Sequence, residues 1–276
     1  MNRSAVAGRA RVRWAASLAG FALLIGGGAL ADVIGHPSNE KTAAAFMRAA
    51  ETAGAQGDLN SAIGFYRRAA QLLPKDPTPM AELGALLARN NALPGAVEAY
   101  RDALARAPSD WRYAMELGRL ALRMNAPQEA EARFDEARRL HPDVATWNGL
   151  GVSLDLLGAH ARAEAAYAEG LKLAPDDATL RNNLGLSEAL AGDYPAAIAT
   201  LKALATSPAS TARYRLNLAL VYGLAGDEDK AAAAARQDLG ESEIASNRLY
   251  VQTLRGLDDK ARTAAILGLG PAPPAR

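Results

Sequence analysis

Three histidines, a stripe of arginines and a recurring asparagine are the side chains of this sequence best placed to do chemistry. His36 lies between Gly35 and Pro37, His141 precedes Pro142, and His160 sits between Ala159 and Ala161. Each falls in a stretch that reads as turn or linker and has no second ligand or base at a useful spacing, so each is expected as an exposed turn histidine. Cysteine is absent, which removes disulfides, thiolate metal sites and a thiol nucleophile together. No phosphate loop or nucleophile elbow occurs. The carboxylate pairs Asp176-Asp177 and Asp258-Asp259 stand at helix starts, where the helix dipole accounts for them. No catalytic residue, metal ligand or cofactor is expected. The formal net charge of +1 gives no field pointing to nucleic acid.

Binding chemistry is better represented. Arg112, Met115, Arg119 and Arg123 follow at i, i+3, i+7 and i+11, one stripe of a helix, and Arg89 holds the last such place one unit earlier. Guanidinium groups in a row suit carboxylates on a partner; an ordinary solvated charged face is the alternative. Asn148, Asn182, Asn183 and Asn217 recur on the same turn of successive helices. Asparagine is a middling helix former, so its recurrence needs a reason. An amide both donates and accepts, which suits the main chain of a ligand or hydrogen bonds between neighbouring units.

The elements that must position these residues follow from a period. Pro74, Pro108, Pro142, Pro175 and Pro208 are spaced by 34, 34, 33 and 33 residues. Ala62, Ala96, Ala130, Ala163, Ala197 and Ala231 keep the same step, as do Gly84, Gly118, Gly151 and Gly185, with Ala219 next. Within residues 144–177, Trp147, Leu150, Gly151 and Leu154 share one helix face and Gly158 ends that helix. Ala163, Tyr167 and Gly170 lie on a second helix, stopped by Pro175. Half of the residues are hydrophobic but only 5% aromatic, a composition suited to close helix packing.

This pattern resembles the tetratricopeptide repeat (TPR). Trp147, Leu150, Gly151, Leu154, Gly158, Ala163, Tyr167, Gly170 and Pro175 match its signature, and the other units carry parts of it. The resemblance implies an all-α solenoid of six helix-turn-helix repeats near 43–76, 77–110, 111–143, 144–177, 178–211 and 212–239, together an array over 43–239. The sixth departs: Ala235 and Asp238 replace a bulky and a small residue. Residues 240–268 are expected as capping helices and 269–276 as a disordered tail. The resemblance also implies that the first helix of each repeat lines a groove. Arg89, Arg112, Met115, Arg119 and Arg123, with Asn148, Asn182, Asn183 and Asn217, would then face protein or peptide partners, Asn183 and Asn217 reaching the backbone of an extended ligand.

Ahead of the array, Arg3, Arg9, Arg11 and Arg13 precede an uncharged stretch from Trp14 to Ala31 that ends Ala29-Leu30-Ala31. Residues 1–31 read as a signal peptide cleaved after Ala31 or an uncleaved anchor, and 32–42 as a linker. Either places the array outside the cytoplasm, in the periplasm or anchored in the inner membrane, with membrane contact only through this segment. Cleavage would leave 27 basic against 30 acidic side chains. Finally, Asn217–Gly226, Arg236-Gln237-Asp238-Leu239 and Asn247 to Arg255 resemble the TPR proteins of Flp (tight adherence) pilus assembly. That resemblance implies a scaffold among pilus secretion components; another envelope adaptor, or a periplasmic chaperone for peptides or pilins, is the alternative. Those relatives are usually lipoproteins, and this chain has no cysteine to acylate.

Overall fold

The computed structural model describes residues 38–269. The segment 1–31, linker residues 32–37 and tail residues 270–276 lie outside the described residues. Among the described residues there are fourteen α-helices and no strand. They are α1 (Asn39–Ala55), α2 (Leu59–Leu72), α3 (Thr78–Arg89), α4 (Leu93–Arg106), α5 (Trp111–Arg123), α6 (Pro127–Leu140), α7 (Val144–Leu156), α8 (His160–Leu173), α9 (Ala178–Leu190), α10 (Tyr194–Ala205), α11 (Ala212–Leu224), α12 (Glu228–Ala235), α13 (Glu241–Arg255) and α14 (Asp259–Ile266). Helices α1 to α12 form six hairpins, and the second helix of each hairpin packs on the first helix of the next. We call the odd-numbered members of these hairpins A helices and the even-numbered ones B helices.

Each hairpin turns on a residue in the left-handed region. Gly57, Gly158, Gly192 and Gly226 adopt φ of 73° to 91°, and Asn91 and Asn125 fill the same place at 58° and 54°. Asparagine tolerates this conformation better than other residues with a side chain, which is why repeats two and three turn without glycine. Aspartates then start many of the helices. Asp58, Asp193 and Asp227 cap B helices by accepting a backbone N–H from the third helical residue. Asp110, Asp143 and Asp177 cap A helices, and Asp143 forms a reciprocal pair with Thr146.

The spacing within hairpins two to five is set by a glycine on the A helix against a large side chain on the B helix. A Cβ at Gly84 would lie 2.7 Å from Tyr100, one at Gly118 3.0 Å from Phe134, one at Gly151 2.4 Å from Tyr167 and one at Gly185 2.7 Å from Leu201. Phe134 is also closed from the next hairpin, since a Cβ at Gly149 would lie 2.4 Å from its ring. In the sixth hairpin both partners are small, Ala219 and Ala235, and Ile244 of α13 joins their cluster to supply the missing bulk. Asp238 has a role here too. Its carboxylate accepts two hydrogen bonds from Arg215, at 2.7 and 2.5 Å, and ties the start of α11 to the chain leaving α12.

One boundary differs from the sequence reading, and one pair of helices packs in an unexpected place. Helix α1 begins at Asn39, so residues 39–42 are its first turn rather than linker; Glu40 in that turn suits the helix dipole. The segment 240–268 forms two helices that pack in different places. Helix α13 packs on α11 and α12, but α14 turns back onto α7 and α9. The physical reason is apolar area: α9 and α11 offer Leu186, Leu220 and Leu224 to the clusters against which α14 packs.

The glycine contacts give a paired prediction. Gly151→Ala must displace the fully buried Tyr167 ring, costing about 1–3 kcal/mol against a helix-propensity gain of at most about 1 kcal/mol. Gly64, on α2, has open space out to 4 Å around the place a Cβ would take, so Gly64→Ala should stabilise by about 0.5–1 kcal/mol. Urea unfolding of the two variants should move in opposite directions.

Candidate functional site

The A helices carry a stripe in common register, six and three residues before the hairpin glycine and one and five after it. On α5 these places hold Arg112, Met115, Arg119 and Arg123. The three arginines are exposed, but Met115 is only 4% exposed and presents almost no surface to a partner. That corrects the sequence reading: the i+3 place leans into the neighbouring helices, where a flexible thioether fills the core. The arginines are also not free cations. The Arg112 guanidinium binds both oxygens of its own cap, Asp110, at 2.8 and 2.5 Å, and this holds the Asp110 carboxyl below its ordinary range. Arg119 donates to Glu116 at 2.5 Å. Arg123 reaches the preceding hairpin, donating to the Ala88 carbonyl at 3.0 Å and the Asn91 side chain at 3.1 Å. Arg89 is exposed at the end of α3.

The asparagines form one connected chain. Asn217 Nδ2 donates to Asn182 Oδ1 at 2.6 Å, Asn182 Nδ2 to Asn183 Oδ1 at 3.1 Å, and Asn183 Nδ2 to Asn148 Oδ1 at 2.8 Å. The amides run in one direction from α11 through α9 to α7 and bind three A helices together. Asn182 is fully buried and Asn183 nearly so. The expected partner-facing place of Asn182 and Asn183 is therefore corrected, and with it the reach of Asn183 to a ligand backbone: both face the neighbouring helices, where the ladder pairs amides that would be costly to bury unpaired. Asn148 and Asn217, at the two ends, are half-buried and keep surface for a partner.

Beyond α5 the two later places of the stripe become apolar, with Val152 and Leu156 on α7, Leu186 and Leu190 on α9, and Leu220 and Leu224 on α11, while the first place holds Ala145, Thr179 and the exposed Arg213. Beside it lies a polar cluster that sequence reasoning missed. Asp155 is fully buried. Its carboxylate accepts from Tyr167 Oη at 2.9 Å and from Ser187 Oγ at 2.6 Å, and lies 2.9 Å from His160 Nδ1. His160 is thus half-buried and paired with a carboxylate rather than an exposed turn residue, because the turn folds it over the end of α7. One signal was available. Asp155 stands four residues after the hairpin glycine, where other repeats have Ala88, Leu122, Ala189 and Gly223. Although aspartate, histidine and serine meet here, Ser187 gives its hydrogen to the aspartate rather than to the imidazole, so no nucleophile and base are paired. His141 is exposed and stacks on Trp111 with centroids 4.5 Å apart. His36 lies outside the described residues. No group of three metal-binding side chains occurs among the described residues, and no helix there is long and apolar enough to cross a membrane.

Two carboxylates near this cluster are held high. Burial raises Glu164, with Asp155 and Asp193 adding to the effect. Burial also raises Glu188, opposed by a hydrogen bond with Thr200 and reinforced by Glu164 and Asp193. Glu188 Oε2 is buried without a hydrogen-bond partner.

The tetratricopeptide repeat family model matches residues 81–145, 115–178, 157–211 and 182–244, more than half of the chain. No curated protein matches it by sequence. Among solved structures, PilW, described as a widely conserved type IV pilus biogenesis factor, is 19% identical with a TM-score of 0.61, over 76% of this chain and 98% of that one. PilF of Pseudomonas aeruginosa is 19% identical with a TM-score of 0.57, over 79% and 99%. YrrB, described as a TPR protein with an unusual peptide-binding site, is 20% identical with a TM-score of 0.54, over 70% and 98%. At these identities the likeness is one of fold.

The polar groups yield two expected outcomes. Asn182→Ala interrupts the amide ladder and leaves the Asn217 donor and the Asn183 acceptor unpaired, which should cost about 1–3 kcal/mol in urea unfolding. Glu188 has a folded pKa above its ordinary 4.5, so its ionised form opposes folding at neutral pH and the penalty vanishes below that value. Glu188→Gln should raise Tm at pH 7 and leave it unchanged relative to wild type near pH 4.

Proposed function

Because the chain belongs to the tetratricopeptide-repeat family of protein-interaction scaffolds, we propose that it is a non-catalytic adaptor that docks protein partners on its A-helix face in the bacterial envelope, during Flp (tight adherence) pilus assembly. The observation that carries the docking role is the stripe itself: exposed Arg89, Arg112, Arg119 and Arg123 run into the apolar residues of α7, α9 and α11 along one register. The pilus assignment is supported by the sequence likeness from Asn217 to Arg255, and by the pilus role given for PilW, a protein of the same fold. The envelope location is supported by the basic and apolar segment 1–31. With no cysteine in its 276 residues, the chain offers no thiol for a lipoprotein's acyl anchor. It works free in the periplasm or held by that segment in the inner membrane.

The apolar half of the stripe favours one second reading, a carrier for peptides or pilin precursors. The two separate in a binding experiment. Pull-down of the pilus secretin and platform proteins by the purified chain supports the adaptor. Binding of extended pilin peptides without those components supports the carrier.

The arginine half yields a quantitative expectation. Exposed ion pairs contribute about 0.2–1 kcal/mol each. Replacing Arg112, Arg119 and Arg123 together by alanine should therefore weaken partner capture roughly 3- to 150-fold and flatten its dependence on salt. Unchanged affinity and unchanged salt dependence would remove these arginines from the interface.

A further inference from the structure

Helix α14 does not extend the solenoid. After α13 the chain turns through Gly256, Leu257 and Asp258, and α14 comes to rest on α7 and α9, the A helices of repeats four and five. Ile266 packs with the cluster of Leu186 and Ala189, and with the cluster of Leu224 in which Leu220 also takes part. Thr263 is 2% exposed, while Asp259 and Lys260 face solvent. The last helix of the described chain therefore covers part of the stripe on which partners dock.

We propose that the apolar half of this stripe is a seat for a short helix, that α14 occupies the seat in cis, and that a partner helix of the same chemistry binds by displacing it. That chemistry is small residues and one branched aliphatic on the buried face, with charge on the other. The inference rests on the reading of the A-helix face as the partner-binding surface.

The covering is selective. Helix α14 packs where the stripe is apolar, on α7 and α9, while Arg112, Arg119 and Arg123 of α5 stay exposed. An apolar face left open would be an association hazard, which gives a reason for covering it when no partner is present. The covering is also shallow. Thr263 is the one buried residue of α14, whereas α13 buries Ile244, Val251 and Leu254. An isolated helix of eight residues is unstable in water, so α14 is helical only while seated, and leaving the seat disturbs little else. The short tether of Gly256, Leu257 and Asp258 nevertheless keeps it near its site at an effective concentration of about millimolar or more. Weak contacts thus suffice to keep the seat filled, and a partner must compete with them, which lowers its apparent affinity by the fraction of chains whose seat is open.

The test uses a labelled peptide of residues 257–269, titrated into the full-length chain and into the full-length T263D/I266D variant, whose α14 no longer fits. The peptide should bind the variant at least tenfold more tightly than wild type, and a peptide carrying the same two substitutions should bind neither. The single variant I266A, milder for folding, should shift affinity in the same direction by a smaller factor. In wild type, amide hydrogen exchange of residues 259–266 should be at least tenfold faster than that of α13. Equal peptide binding to wild type and both variants, or equal exchange in α13 and α14, would overturn the seat. Capture of pilus components that is the same for wild type and T263D/I266D would overturn the seat while leaving the adaptor role standing. Peptide binding to the variant with no pilus component captured by either chain would support the seat and remove the pilus role.

Discussion

The contact between a glycine on one helix and a large side chain on the next is the constraint from which the rest of this structure follows. Gly84, Gly118, Gly151 and Gly185 have no room for a methyl group because Tyr100, Phe134, Tyr167 and Leu201 press against the A-helix backbone. That closeness holds the two helices of a hairpin in one relative position. Repeated four times at a nearly constant step, it brings the A helices into register, so that residues at the same place in successive repeats form a stripe. At the C-terminal end, where both partners are small, Ala219 and Ala235, Ile244 from the following helix fills the gap.

Register explains why the binding face has two halves. In repeats two and three the stripe carries arginines, and those of α5 are each held by a local carboxylate or a neighbouring carbonyl. In repeats four to six the two later places of the stripe are aliphatic and need cover. The asparagine ladder runs inside this second half. Its geometry depends on register as well, since an amide on α11 can reach one on α9, and one on α9 can reach α7, only if the three helices keep a common phase. A uniform chain of donors and acceptors satisfies buried amides that would otherwise be costly. It stiffens the part of the face whose surface is apolar.

The Asp155 cluster shows what a one-dimensional pattern conceals. Asp155 and His160 are close in sequence, but Ser187 comes from the next repeat and Tyr167 from the opposite helix. The aspartate stands at a place that is apolar in other repeats, and this irregularity was visible. Its partners were not, because they are assembled by stacking. The same holds for Arg112 and Arg119. Their spacing on one helix face was plain, while the degree to which Asp110 and Glu116 neutralise them is a matter of side-chain reach.

The sequence by itself determined the repeat, its period, the hairpin turns and the helices that pack on one another. All of these are consequences of local chemistry repeated at a fixed step: glycine or asparagine where φ is positive, proline where a helix must stop, small residues where backbones approach. The tertiary structure alone decided which polar residues meet and which surface stays open. Met115 and Asn182 lie on the stripe by spacing yet are buried by the adjacent repeats. Residues 259–266 read as part of a cap, yet lie on α7 and α9. Periodicity specifies the direction in which a side chain leaves its own helix. What it meets there depends on the angle between neighbours and on competition for apolar area, and both are settled only when the whole array has packed.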